Sequence, residues 1–208
     1  MKKVLGICTL VVALLLGGGC TVNNNVVREQ SVDSDFERLP DGTLILSGNV
    51  DEDTFKEFYR HTSDGKDHYT LNIMTNGGCA YNTVAIMNRI IMLKKQGVKF
   101  TMIVGGHGFS AGAYIFMMGD ERIMYRGSNL MWHTMKGQMQ TDGNWNRVTI
   151  QKRKSMLERM DNFVVNTFRK QFPHIKEVWI QETFWNSGMS WMTCEQALLM
   201  GIATKIMN

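Results

Sequence analysis

Cysteine is scarce in this chain: four residues in 208, at positions 8, 20, 79 and 194. They form no Cys/His spacing of the zinc type, so no metal is expected. Internal repeats are absent, which excludes solenoids and propellers. No basic stripe is interleaved with aromatics and the formal charge is only +4, so nucleic acid is not an expected partner. The longest apolar run, near the N-terminus, covers about a dozen residues, short of the ~20 that cross a bilayer. What remains is 44% hydrophobic and 20% charged, the balance of a globular chain with a sizeable core.

The first twenty residues, "MKKVLGICTLVVALLLGGGC", place two lysines before the apolar run and small residues after it. That is the layout of a secretion signal. The ending "LGGGC" resembles a bacterial lipobox, in which cleavage leaves a lipid-modified cysteine, here Cys20. Gly17 stands where leucine is usual, so an ordinary cleaved signal and an uncleaved anchor stay open. The expected division is a signal over 1–19, a polar tether over 20–38 and one domain over 39–208. The expected location is the cell envelope, with a lipid anchor in the membrane. Cys79 and Cys194 would remain in a compartment that permits disulfides, either paired or as two separate small residues.

From Leu39 the pattern becomes regular. Strands are expected at 43–50, 69–75, 98–104, 121–126 and 129–133. Helices are expected at 51–61, 81–96, 110–119 and over a long span, 144–170, that ends before Pro173. That last helix exceeds the ~11–12 residues of an average one and is of a length that often packs against a neighbouring subunit. A final helix and strand follow from Cys194. Strand–helix alternation with short turns points to an α/β fold with parallel pairing. Sites in such folds gather at the carboxyl ends of strands. "NGG" (76–78), "GGHGFS" (105–110) and "WH" (132–133) all fall there.

Ser110 lies among small residues at a strand–helix junction. It reads either as a helix cap or as a nucleophile, with the helix N-terminus stabilising negative charge. His133 is the candidate base, against the alternative of a satisfied core histidine. His107 is a rival, three residues before the serine in what reads as a Gly-flanked turn. "NGG" by itself is a turn signal that leaves backbone amides uncovered.

Together these segments resemble the Clp protease proteolytic subunit, within the serine peptidases that share the crotonase-type fold. "TLILSGNVDEDT", "LNIMTNGGCAYNTVAIMNRI", "GGHGFSAGAYIFMMGD", "GSNLMWHTM" and "MTCEQALLMGIATKI" are similar, in order, to five segments of that family. The resemblance covers about Thr43 to Ile206 and implies a spiral of ββα units with a long protruding helix. It implies Ser110 as nucleophile, His133 as general base, and the amides of Gly78 and Ala111 as the oxyanion hole. It implies endopeptidase action on peptides or unfolded protein segments, a homo-oligomeric ring, and no cofactor. An exported member would work without an ATP-driven unfoldase.

The third member of the family's triad is an aspartate. In "WNSGMSWMTC" its position holds Met189, which cannot orient an imidazole. Asn186 is the nearest group that could, with Glu182 farther upstream; otherwise the site is a dyad, or silent and used for binding or scaffolding. A crotonase-like acyl-CoA enzyme is a further alternative, although a cell-envelope location offers no CoA.

Overall fold

Burial alternates residue by residue along His68–Gly78, with Tyr69, Leu71, Ile73 and Thr75 turned inward, and this segment is the middle of the sheet. The structure, a computed structural model, describes residues 36–135, 147–186 and 188–208. In chain order the strands are β1 (Phe36–Arg38), β2 (Leu44–Val50), β3 (His68–Gly78), β4 (Lys99–Phe109), β5 (Glu121–Tyr125), β6 (Asn129–Trp132), β7 (Ser190–Thr193) and β8 (Lys205–Met207). The α-helices are α1 (Glu52–His61), α2 (Ala80–Lys95), α3 (Ala111–Phe116), α4 (Arg147–Gln171), α5 (Glu177–Gln181) and α6 (Cys194–Leu199). A π-helical turn, Glu182–Asn186, follows α5.

The expected α/β class with parallel pairing is what forms. β2, β3, β4, β5 and β8 are parallel neighbours in that order, and β1 adds antiparallel to β2. On the edge away from β3, β4 serves two partners. Its first half, Thr101–Val104, pairs with β5, and its end, His107–Phe109, pairs with β6. β6 then pairs antiparallel with β7. The sheet therefore divides along β4, and the division falls just before Ser110.

Two expectations need correction here. The tether does not run to 38: Phe36 is buried against Phe58, and Arg38 pairs with Asp64 at 2.7 Å, so both are held by the domain. Nor is Gly105–Phe109 a turn. It continues β4, with a register shift where Ile73 faces Val104 and Thr75 faces Gly108. Glycines that read as a turn in the sequence here form an irregularity inside a strand. His107 accordingly sits on β4 opposite Asn129, with its ring 4.9 Å from that of Phe109.

α4 is described from Arg147, so the expected start at 144 lies outside the described residues. Its C-terminal half is buried through Met160, Val164, Val165 and Phe168. Its first turn is open, with Val148 59% and Ile150 43% exposed, while Met156 and Leu157 pack against the core. Cys79 is exposed, Cys194 is buried and the two are unpaired.

Arg122 holds the far end of the sheet. Its guanidinium is buried and donates to Gly119 O at 2.7 Å, Ile202 O at 2.6 Å and Gly201 O at 3.3 Å. It thereby joins the turn after α3 to the turn after α6. Arg122→Met should lower the free energy of unfolding by about 3 kcal/mol, because the carbonyls stay buried without donors. Arg122→Lys should recover only part of it, since an ammonium lacks the planar fork. Urea unfolding of the three proteins checks both.

Asp64 accepts from the Tyr69 hydroxyl at 2.5 Å beside Arg38. Burial works to raise its pKa, but the Tyr69 and Arg38 hydrogen bonds outweigh it and bring the carboxyl down to about 2. A lowered acid contributes stability that is complete above its unfolded pKa and is lost as pH falls through the folded one. The contribution should therefore fade from about pH 4 to pH 2. With the carboxylate partly exposed it should amount to only about 1 kcal/mol. Asp64→Asn should remove that part of the acid dependence of stability.

Candidate active site

Ser110 follows β4 with φ +52° and ψ −112°, and among the described residues it alone, outside glycine, has a positive φ. Such a backbone costs on the order of 1–3 kcal/mol and persists only where neighbours enforce it. Here the Ser110 amide donates to Met131 O at 2.8 Å, and the Ser110 carbonyl accepts from Tyr114 N at 3.1 Å. Gly77 fills the remaining space. A Cβ on Gly77 would lie 2.7 Å from the Ser110 Cβ, and the Gly77 φ of +113° also favours glycine. The hydroxyl makes no capping bond to α3, although the residue stands at its N-cap. The helix-cap reading of this serine is therefore not what the structure contains.

The end of β3 is locked beside it. Thr75 is buried, and its hydroxyl accepts from Gly77 N at 2.9 Å and donates to Gly48 O. Gly78 touches β2 so closely that a Cβ would come within 2.3 Å of Val50 O. The next amide, Cys79 N, donates to that same oxygen at 2.6 Å. "NGG" is thus a strand end in backbone-to-backbone contact and not a free turn. Gly112 closes the other side, with its missing Cβ 2.7 Å from Thr75 Cγ2, so α3 lies against β3. Ala111 is the first residue of α3, where amides have no partner inside the helix.

A cavity of about 660 Å³ opens here, and Gly78, Ser110, Ala111 and His133 all line it. The pairing of Phe109 with Met131 brings the chain ends that carry Ser110 and His133 side by side. The His133 backbone carbonyl accepts from the hydroxyl of Tyr114, a phenol that burial holds well above its ordinary pKa. The ring Nδ1 lies 2.5 Å from Thr134 O. A carbonyl only accepts, so Nδ1 carries the hydrogen, and in the neutral ring Nε2 is then the nitrogen with the lone pair. No hydrogen bond joins Ser110 Oγ to this ring among the described residues.

The residues expected to orient the histidine lie elsewhere. Asn186 is exposed on the π-helical turn and donates to Glu182 Oε1 at 3.0 Å. Neither lines the cavity. Met189 is half-exposed, and Trp191 rests edge-on against Phe109 at 4.9 Å. The place that Asn186 was expected to take on the ring is filled by Thr134 O. Cys20 lies outside the described residues.

One acid near the site was not singled out from the sequence. Asp161, on α4, is only 8% exposed, and its Oδ1 accepts from Met135 N at 2.7 Å. Burial raises its pKa, opposed by the Met135 amide and by the charge of His133. The signal was present: "ERMDNFVVNTF" places an aspartate within an apolar helical stripe. Among the described residues no group of three His, Cys, Asp or Glu side chains could hold a metal ion.

A search of curated proteins finds no match to this chain. The model of the Clp protease family matches residues 28–208. That match spans every strand of the sheet and all of α4, and on this ground the chain belongs to the Clp protease family, and so to the serine peptidases.

Proposed function

We propose that the protein is a serine endopeptidase that cleaves peptides or unfolded protein segments through an acyl-enzyme on Ser110. The observation that carries this reading is a strained serine with an uncommitted hydroxyl, sharing a cavity with a histidine whose Nε2 is free. Ser110 Oγ adds to the scissile carbonyl carbon while its proton passes to His133 Nε2. The oxyanion that forms is met by the amides of Gly78 and Ala111. Collapse expels the amine, which takes the proton from His133 and leaves an ester on Ser110. Water, deprotonated by the same nitrogen, hydrolyses that ester.

In this reading residues 1–19 direct export, Cys20 carries the lipid, and the domain works at the membrane without an ATP-driven unfoldase. Rings are typical of the family, and the first turn of α4, with Val148 and Ile150 exposed, is suited to packing against a second subunit. One observation favours a second reading, a silent peptide-binding protein: no hydrogen bond links the serine to the histidine.

Fluorophosphonate labelling of the full chain, purified in detergent and followed by mass spectrometry, separates the two. The peptidase reading expects labelling on Ser110, none in Ser110→Ala, and a loss of ~10²–10⁴-fold in rate for His133→Ala. An unlabelled wild-type chain would leave the binding reading. Gly77→Ala should slow labelling by about 10²-fold, since a displacement of ~1 Å at a nucleophile has that effect. Its far-ultraviolet circular dichroism should stay that of the wild type.

A further inference from the structure

The Clp protease resemblance leads one to look for the acid in the segment around Met189, and no acid from that segment lines the cavity. The three residues His133–Met135 are held from two sides. Before the ring, the buried Tyr114 hydroxyl donates to the His133 carbonyl. After it, the Met135 amide donates to Asp161 at 2.7 Å. Between these anchors the Thr134 carbonyl is turned onto His133 Nδ1 at 2.5 Å.

We propose that Asp161, supplied by α4, is the acid of this site: a positioning residue that fixes the Thr134 carbonyl on His133 Nδ1 through Met135 and stabilises the imidazolium across the buried space. This rests on the peptidase reading for its catalytic meaning, but not for its geometry. A carbonyl oxygen stands where a triad carboxylate would accept from Nδ1, and the formal negative charge lies one step behind it. A backbone oxygen fixes the tautomer as a carboxylate does. It offers no net charge, and Asp161 supplies that from a site where few solvent dipoles screen it.

A carboxylate near the ring favours the imidazolium that forms when Ser110 gives up its proton. Other titratable and charged groups face the same cavity: Asp51 at the start of α1, Cys79 and Tyr81 at the start of α2, Tyr114 on α3 and Arg153 on α4. Glu158 lies near Asp161 on α4 and works to raise its pKa. All of these are unchanged in the variant that tests the idea.

That variant is Asp161→Asn in the full chain, because an asparagine oxygen can still accept from Met135 N. The first readout is the pH dependence of fluorophosphonate labelling. Its acid limb marks the imidazole losing its proton. With Asp161→Asn the limb should move to lower pH, because the imidazolium loses a nearby negative charge. The plateau rate should fall on the order of 10- to 100-fold, less than the ~10⁴ that follows loss of a direct triad acid. Asp161→Ala should fall at least as far. A purely structural role would leave Asp161→Asn at the wild-type rate with an unmoved limb, and only Asp161→Ala would suffer; that result overturns the proposal.

The second readout needs no activity. In a Ser110→Ala background, ethoxyformylation of His133 by diethyl pyrocarbonate is followed against pH by mass spectrometry, with and without Asp161→Asn. The reagent attacks neutral imidazole, so the same downward shift is expected. An unmoved His133 limb overturns the role of Asp161 whatever the labelling shows. A shifted limb in a chain that takes no fluorophosphonate overturns the peptidase reading and leaves Asp161 as the acid that charges and holds His133.

Discussion

The contact between Gly77 and Ser110 is the constraint on which the site depends. The Gly77 backbone meets the Ser110 side chain there at a distance that admits no Cβ on the β3 side. The serine can hold its unfavourable φ only because the strand beside it ends in glycine. That strand end is in turn fixed by the Thr75 hydroxyl on one side and the Val50 carbonyl on the other. The strain at Ser110 is small beside the burial around it. All six residues of α3 are buried, and a single large apolar side chain contributes ~1.5–3 kcal/mol when removed from water. The core can therefore hold the hydroxyl in a position that no helix-capping bond would give it.

The second half of the site follows from the division of the sheet. β4 gives its first residues to β5 and its last to β6. A strand that paired with one neighbour throughout would carry β5 alongside Ser110, and β5 ends in Tyr125 with no base in reach. Because the pairing changes partner, β6 delivers His133 to the same edge. The irregular register around Gly105–His107 lets one strand follow both neighbours. Function here is a property of pairing geometry as much as of side chains.

Much of this was legible in the sequence. Alternation and helical spacing located β2, β3 and α2 to within a few residues, since each turns one face more deeply inward than the other. Ser110, His133, Gly78 and Ala111 were nameable, and the structure lines one cavity with all four. What misled was glycine. In "NGG" and "GGHGF" it signals a turn when only local conformation is weighed, whereas here it permits close approach between strands that lie far apart in sequence. Asp161 was passed over for a related reason. A helix periodicity describes which residues face inward, but not that an inward acid will find an amide donor from a segment 26 residues earlier. Asn186 was preferred on nearness along the chain, and nearness along the chain does not fix distance in a folded loop.

Arg122 has a meaning in chain entropy as well as in hydrogen bonds. The strands that build the serine turn, β3, β4 and β6, follow one another within residues 68–132, joined through α2 and then through α3 and β5. β8 reaches the sheet only by returning across 82 residues, where Arg122 N meets the Thr204 hydroxyl. Closing a loop costs more as it lengthens, though only as the logarithm of its length. The buried guanidinium sits at that closure, with its donors already aimed at the returning carbonyls. It acts as the clasp of that 82-residue excursion, and α4, with the Asp161 carboxylate that holds Met135, is carried inside it.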